Sequence, residues 1–494
     1  MKLIRFLMPR MEYILFAAIF WGIAATGPIL LNSDGDLPRH LLVGKLIRTT
    51  KTVNLNDIFS YRTTGYPSFP HEWLSQVILS IFNDLLGLGG VVLFAALIVM
   101  LVWAIIYYDV LQRSNSLMIS IVFTGLGVGT SLIHILPRPH LFSYLFTVLW
   151  ILVLQKIYKD KLQSWWLLPI LMLVWVNLHG MFVLGIVIGG IYLVGDFFET
   201  PSKTWFTSTR TKSMLAGGVL SILASFLSPS GIGIWGAIAS LSGNAYIKSR
   251  IPEYQSANFQ MAETWPFILI LLLTIMSFSR SNNKVTWRHV FLVTAFAGVA
   301  LYSSRMLPFF AIVAVPIAAQ SISEWLKKDY PSSRLWSTES NINAINQTSN
   351  GLVWVLIVVI AVGTLFRFNI PIDAGNKGNT FDPKFFPVDA VTWLKSNPQS
   401  GHVFNEFDWG GYMLLKLWPQ YQIFMDGHTH IYGEKLTREY EQVITLSSGW
   451  ESIFDKYQIT WAIVRVQSPV VKALEDKGWK ILYQDTTAII LSKP

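Results

Sequence analysis

The sequence predicts a polytopic α-helical membrane protein with a small C-terminal α/β domain outside the bilayer. Three observations predict it. Apolar residues make up 52% of the 494 and charged residues only 14%, with a mean hydropathy of +0.45, far from a soluble domain. Nearly uncharged runs recur at the length one helix needs to cross ~30 Å of hydrocarbon. Only the last quarter of the chain has soluble composition.

Eleven spans are expected, at roughly 12–31, 89–108, 116–135, 140–155, 164–178, 180–197, 213–228, 265–279, 287–302, 306–325 and 351–368. The first is no cleaved signal peptide, because no small-residue cleavage pattern follows it and further spans continue. Only Asn177-Leu178-His179-Gly180 separates the fifth from the sixth, so one of them is tilted, short or re-entrant. With a cytoplasmic N-terminus, the inner segments hold Lys2, Arg5 and Arg10; Arg113; Lys156, Lys159 and Lys161; Lys203, Arg210 and Lys212; Arg280, Lys284 and Arg288; Lys327, Lys328 and Arg334. The later short outer loops hold only Arg138, Lys248, Arg250 and Arg305. That asymmetry is the positive-inside rule. It predicts a multi-pass protein of the cell (inner) membrane, with the C-terminal domain extracytoplasmic.

The first outer loop (32–88) breaks the rule with Arg39, Lys45, Arg48, Lys51 and Arg62. Cations on the disfavoured side suggest contact with anionic lipid phosphate. Leu42, Val43, Leu46 and Ile47 share one helical face, opposite His40, Gly44, Lys45 and Arg48, which predicts an in-plane amphipathic helix. Residues 329–350 read as a polar, mobile cytoplasmic loop.

The division expected is 1–370 for the membrane domain and 371–494 for the tail. The tail carries 12 basic and 14 acidic residues, so the formal +9 resides in the loops flanking the spans and not on a nucleic-acid surface. No cysteine is present, so the tail folds without disulfides. Strands are predicted at 403–404, 422–425 and 460–465, helices at 434–446 and 468–477, and a hairpin over 480–492 about Asp485-Thr486.

Polar residues collect at the outer edges. The eleven spans hold no Asp or Glu in their interiors, which counts against an ion-coupled transporter. Just past the first span come Asp34 and Asp36, a carboxylate pair suited to general-base work or to holding a divalent metal beside a phosphate; Asp36 also stands where an N-cap would. His71-Glu72-Trp73 opens the helix before the second span, with Glu72 a third candidate acid or base. Leu136-Pro137-Arg138-Pro139-His140 is a rigid turn presenting Arg138, whose fork suits a phosphate, and His140. His179 sits at a span junction, and Arg305 in a tight outer hairpin has little reason to be there unless it meets an anion. Arg39, His40, Lys45 and His71 complete the candidate substrate and phosphate ligands. In the tail, Trp409-Gly410-Gly411-Tyr412 reads as a tight turn, and Asp426, His428 and His430 alternate as they would in an extended metal-binding segment.

The ordered set of Asp34/Asp36, His71-Glu72-Trp73, Arg138-Pro139-His140-Leu141-Phe142-Ser143-Tyr144, Asn177-Leu178-His179-Gly180 and Trp409-Gly410-Gly411-Tyr412 resembles bacterial GT-C-like membrane proteins. It is distantly similar to protein O-mannosyltransferases, aminoarabinose transferases and oligosaccharyltransferase catalytic subunits. The oligosaccharyltransferase Trp-Trp-Asp-Tyr-Gly signature is absent, so peptide-asparagine transfer is not expected. The resemblance implies an enzyme that moves a sugar from a polyprenyl-phosphate donor to an acceptor on the outer face of the membrane. Taken with the residue chemistry, it implies an inverting reaction with Asp34 or Asp36 as base, and Arg138, Arg305 and Lys45 on the leaving phosphate. A divalent cation (Mg or Mn) bridging the aspartates to phosphate fits this chemistry without being required. The expected partners are the lipid-linked sugar and anionic lipid, with no nucleic acid. The rival readings are a non-enzymatic polysaccharide or lipid exporter or scaffold, and a polymerase or ligase of lipid-linked glycans.

Overall fold

The computed structural model describes residues 7–159, 162–280, 285–370 and 378–494. Lys2, Arg5, Lys161 and Lys284 of the charge asymmetry lie outside the described residues, as do the first residues of the expected tail.

Helix α1 (Met11–Ala25) leads through a short helix to the first long loop, whose helix α2 spans Leu37–Thr50. There follow α3 (Trp73–Ser114), α4 (Leu117–Ser131), α5 (His140–Tyr158), α6 (Leu167–Leu178), α7 (Val183–Glu199), α8 (Thr209–Ala224), α9 (Trp265–Arg280), α10 (Trp287–Tyr302), α11 (Leu307–Asp329) and α12 (Leu352–Arg367). A helix thus forms in each of the eleven apolar stretches. By length and composition, six helices of the described residues are able to cross a membrane, or seven if the bent pair Arg334–Thr348 and Leu352–Arg367 is one span. Helix α3 combines the amphipathic approach helix and the second span, and Gly87 at φ +64° makes the break between them, a conformation costly for any residue with a Cβ. Helices α3 and α11 run through the centre of the bundle, and α11 is buried along almost its whole apolar length.

Residues 329–350 are not a mobile loop: Arg334–Thr348 is helical. Its Glu339 is buried and accepts hydrogen bonds from the Leu117 and Met118 amides and the Ser116 hydroxyl at the start of α4. A carboxylate at a helix N-terminus satisfies donors that have no intrahelical partner. That capping contact orders an otherwise polar segment.

The tail forms α13 (Val388–Ser396), β1 (His402–Asn405), α14 (Gly410–Leu417), α15 (Thr429–Ile444), β2 (Ile459–Arg465), α16 (Pro469–Asp476), β3 (Lys480–Gln484) and β4 (Ala488–Ser492). The sheet order is β1-β2-β4-β3, with β1 parallel to β2 and the other pairs antiparallel. Alternation divides its faces. Val403, Trp461, Ile463 and Ile490 pack with α13 and α14, whereas Phe404, Ala462, Val464 and Leu491 pack with α15 and α16. The strand expected at 422–425 does not form. Ile423 makes a single bridge with Ser60 and donates to the Phe59 carbonyl (3.0 Å), while the Asn405 side chain takes the Phe424 amide (2.8 Å). The loop after α1 has claimed that backbone.

Helix α2 likewise does not lie free in the headgroup plane. It is wedged between α3 and α14, and Leu42, Val43 and Leu46 join the tail's core. Gly410 and Gly411 are helical rather than a turn. A Cβ on Gly410 would strike the Met425 carbonyl, and one on Gly411 the Gly35 carbonyl, so the pair permits close docking of α14 on both segments. The loop's arginines complete the seam: Arg39 pairs with Asp426 and lies 3.7 Å from Asp57, and Arg62 meets Glu439 at 2.8 Å.

Because Arg39 and Asp426 are buried together, removing one leaves an uncompensated charge, which costs about 3–5 kcal/mol. Asp426→Ala is expected to lower the thermal midpoint of the purified protein sharply, and Arg39→Met/Asp426→Leu to recover most of the loss. A thermal-shift series on the parent and the two variants checks this.

A carboxylate and arginine cluster at one end of the bundle

Helix ends converge where the first loop meets the tail. Asp34 sits in the turn before α2, buried to 3% exposure, and its two oxygens accept a bidentate grip from Nε and Nη2 of Arg138. Pro137 and Pro139 flank Arg138 at the mouth of α5 and fix the turn from which it reaches. The Asp36 amide also donates to Asp34 Oδ1 (2.7 Å). Asp36 occupies the N-cap position of α2, yet its side chain makes no capping bond. Its carboxylate lies 3.2 Å from Arg138 Nη1 and abuts Gly427, where a Cβ would overlap Oδ1.

Glu253, from the long loop after α8, closes the other side. Its oxygens lie 3.1 Å from Arg305 Nη1, 4.0 Å from Arg138 Nη1 and 3.6 Å from His134 Nε2. Arg305 also donates to the Tyr254 hydroxyl (2.9 Å) and comes within 3.5 Å of His179 Nε2. The anion that Arg305 meets in this structure is Glu253.

A histidine group adjoins this cluster. The Glu72 carboxylate, at the start of α3, has His40 Nδ1 at 3.8 Å, His71 Nε2 at 3.7 Å and His179 Nε2 at 3.6 Å. The far sides of two of these rings are held, by the Phe69 carbonyl at 2.8 Å from His71 Nδ1 and by Ser143 at 2.8 Å from His179 Nδ1, while Gln76 lies 3.1 Å from the same His40 Nδ1 that faces Glu72. His140 stacks on His134 behind them, with ring centroids 4.5 Å apart.

Environment separates the two aspartates. Burial works to raise the Asp34 carboxyl, but Arg138, by charge and by hydrogen bond, outweighs it and holds the group below the usual carboxylate range. Enclosure raises Asp36 too. Arg138 opposes this, while Asp34, Asp426 and Glu253 add to the rise, leaving Asp36 at about 7. Its side chain still keeps 30% of its surface open. Burial drives His428 well below the ordinary imidazole range and His430 down to about 3, so both are neutral.

Of the residues singled out by sequence, the structure brings Asp34, Asp36, Glu72, His40, His71, Arg138, His179 and Arg305 together. Arg39 serves the seam with the tail, and Lys45 stands exposed on α2 away from the cluster. The extended metal-binding segment does not form: His428 precedes and His430 lies within the first turn of α15. Asp426 is taken by Arg39 and by the Tyr432 hydroxyl (3.2 Å). Among the described residues no three His, Asp or Glu side chains form a metal-ligand set, and a divalent ion at Asp34 would have to displace Arg138. Glu253 went unrecognised in the sequence. Its only signal there is an acidic residue in a long outer loop, and nothing local points it at Arg138 and Arg305.

No protein-family model matches the chain, and no curated protein sequence matches it. Solved structures do. The apo oligosaccharyltransferase of Archaeoglobus fulgidus superposes with a TM-score of 0.57 at 12% identity, over 92% of this chain and 70% of that one. AglB of the same organism, in complex with an inhibitory peptide and a dolichol-phosphate, gives 0.59 at 12% identity over 98% and 74%. The form in complex with Zn and sulfate gives 0.55 at 13% identity over 97% and 73%. This chain therefore shares the overall fold of these archaeal oligosaccharyltransferase structures.

Asp36 binds its proton more tightly in the folded protein than in the unfolded chain, where it titrates near 3.8. Its contribution to stability is present below pH ~4 and is lost as pH rises through about 7. Asp36→Asn is expected to remove that slope, measured as thermal midpoint against pH for both proteins.

Proposed function

We propose that this chain is a membrane glycosyltransferase that moves a sugar from a polyprenyl-phosphate-linked donor to an acceptor hydroxyl at the outer face of the membrane. The observation that carries the reading is the divided pair: Asp34 locked to Arg138, and Asp36 beside it, partly open and poised near neutral pH. A general base works best when its pKa lies near the operating pH, so Asp36 is the base and Asp34 the anchor of Arg138. AglB of Archaeoglobus fulgidus, whose fold is similar, is seen in complex with a dolichol-phosphate, which supports a lipid-phosphate donor.

In the proposed reaction the acceptor oxygen attacks the anomeric carbon as its proton passes to Asp36. The bond from that carbon to the phosphate oxygen breaks on the opposite side, with inversion, and its electron pair leaves with the phosphate. Arg138 and Arg305 stabilise the growing charge. Glu253 lies against both guanidinium groups, so donor phosphate takes its place there. No step is routed through a metal, given the engagement of Asp34 by Arg138. In this reading residues 371–494 form an extracytoplasmic unit that backs the first loop and presents Gly427 and Asp426 beside the base.

The test is sugar transfer and release from a panel of radiolabelled polyprenyl-phosphate sugars by purified protein in nanodiscs. Asp36→Asn is expected to lower kcat by about 10²–10⁴-fold with KM little changed, and to remove a rate limb that climbs through about pH 7. Arg138→Gln is expected to impair both kcat and KM. Undiminished turnover by Asp36→Asn would overturn the assignment.

A further inference from the structure

The opposite end of the bundle holds a cavity of about 410 Å³, between α3, α5, α7, α10 and α11. The nineteen residues of α5 place it ~28 Å from the aspartate cluster at 1.5 Å per residue. Its wall carries Arg113, Lys159 and Arg288, against a single carboxylate among the described residues, Glu324.

The two arginines are positioned rather than used up. Arg113 donates through Nε to Asp109 (2.9 Å) and through Nη1 to Gln320 (3.5 Å). Arg288 donates through Nη1 to Glu199 (3.1 Å) and lies 3.4 Å over the Tyr158 ring. A guanidinium presents five N–H donors, so both forks keep donors in reserve. Thr286, on the same wall, has a hydroxyl with no hydrogen-bond partner among the described residues. A volume of this size is that of a ligand site rather than a packing defect.

The location narrows the ligand. The cavity opens where apolar helices end, and a cluster of exposed aromatic side chains stands at that end beside α7 and α10: Phe197, Phe198, Phe206 and Trp287 are 43–69% exposed. Aromatic side chains favour the membrane–water boundary, and basic pockets between helices at that level bind anionic headgroups. The geometry points to a phosphate-binding site for the headgroup of an anionic phospholipid, with Arg113, Arg288 and Lys159 on the phosphate and the acyl chains against the aromatic cluster. This site is separate from the aspartate cluster and does not depend on the transferase reading.

The full chain, delipidated and returned to nanodiscs, is titrated with short-chain phosphatidylglycerol, phosphatidylcholine or inorganic phosphate, and bound lipid is counted by native mass spectrometry. The parent is expected to prefer phosphatidylglycerol. Lys159→Gln, which breaks no ion pair of the described residues, is expected to weaken that binding about 5-fold, and Arg113→Gln/Arg288→Gln to weaken it further. Phosphatidylcholine retention should stay the same in all three, which shows the variants are folded. Inorganic phosphate that displaces phosphatidylglycerol would assign the site to soluble phosphate compounds; failure to displace it would assign it to lipid. Equal binding of the two lipids with no effect of phosphate overturns the proposal, as does a phosphatidylglycerol preference that survives in both variants.

Discussion

The buried ion pair between Arg39 and Asp426 is the contact on which the rest of this end of the bundle depends. It joins residues 387 positions apart, one in the loop after α1 and one in the tail. Two charges withdrawn from water stabilise little on their own account, because desolvation offsets attraction. What such a pair supplies is register. Arg39 is anchored on α2, one turn beyond Asp36, and Asp426 precedes Gly427, against which the Asp36 carboxylate rests. Fixing one pair therefore fixes the backbone on both sides of Asp36. The packing of α2 on α14 and the bond from Ile423 to Phe59 follow the same register.

From that seam the electrostatics of the cluster follow. Arg138 reaches one aspartate with two parallel bonds and the other with a single nitrogen, so two residues of one type diverge in acidity within three positions. Asp34 remains ionised because its charge is answered in full. Asp36 is raised because enclosure and three neighbouring carboxylates outweigh the share of Arg138 left to it. Glu253 then completes the balance by occupying Arg305 and approaching Arg138. Each arginine of the cluster has an anion beside it, Asp34 for Arg138 and Glu253 for Arg305, which is what low-dielectric surroundings demand.

Much of this was legible in the sequence, and the reasons differ by element. Hydropathy marked the bundle because apolar length is a local property, and every predicted stretch is helical. The hairpin about Asp485 was legible from alternation and turn residues. Asp34, Asp36, Glu72, Arg138, His179 and Arg305 stood out because polar residues at the ends of apolar helices are costly without a task. The failures are all long-range. Nothing near Gln422 says that its backbone will be claimed by Phe59 and Asn405 instead of a neighbouring strand. Nothing near Gly410 distinguishes a turn from a helix that must approach another chain segment closely. The excess of cations in the first loop was read as facing lipid phosphate, whereas Arg39, Arg48 and Arg62 meet Asp426, Asp84 and Glu439. Charge composition reveals that a cation needs an anion, not which one.

The distribution of polar groups along the bundle also bears on whether chemistry or transport is the task. The central helix α11 joins the Arg305 end to the cavity end. Its intervening buried residues, from Phe309 to Ala319, are Phe, Ala, Ile, Val and Pro, and they pack into one continuous apolar core with α3. An exporter needs a polar route through that layer, and an apolar core along the axis opposes one. A transferase needs only a polar cleft at one end, closed off from the other, with a base whose proton affinity the surrounding charges have already set. The carboxylates at one end and the apolar layer beneath them fit the proposed transfer better than export.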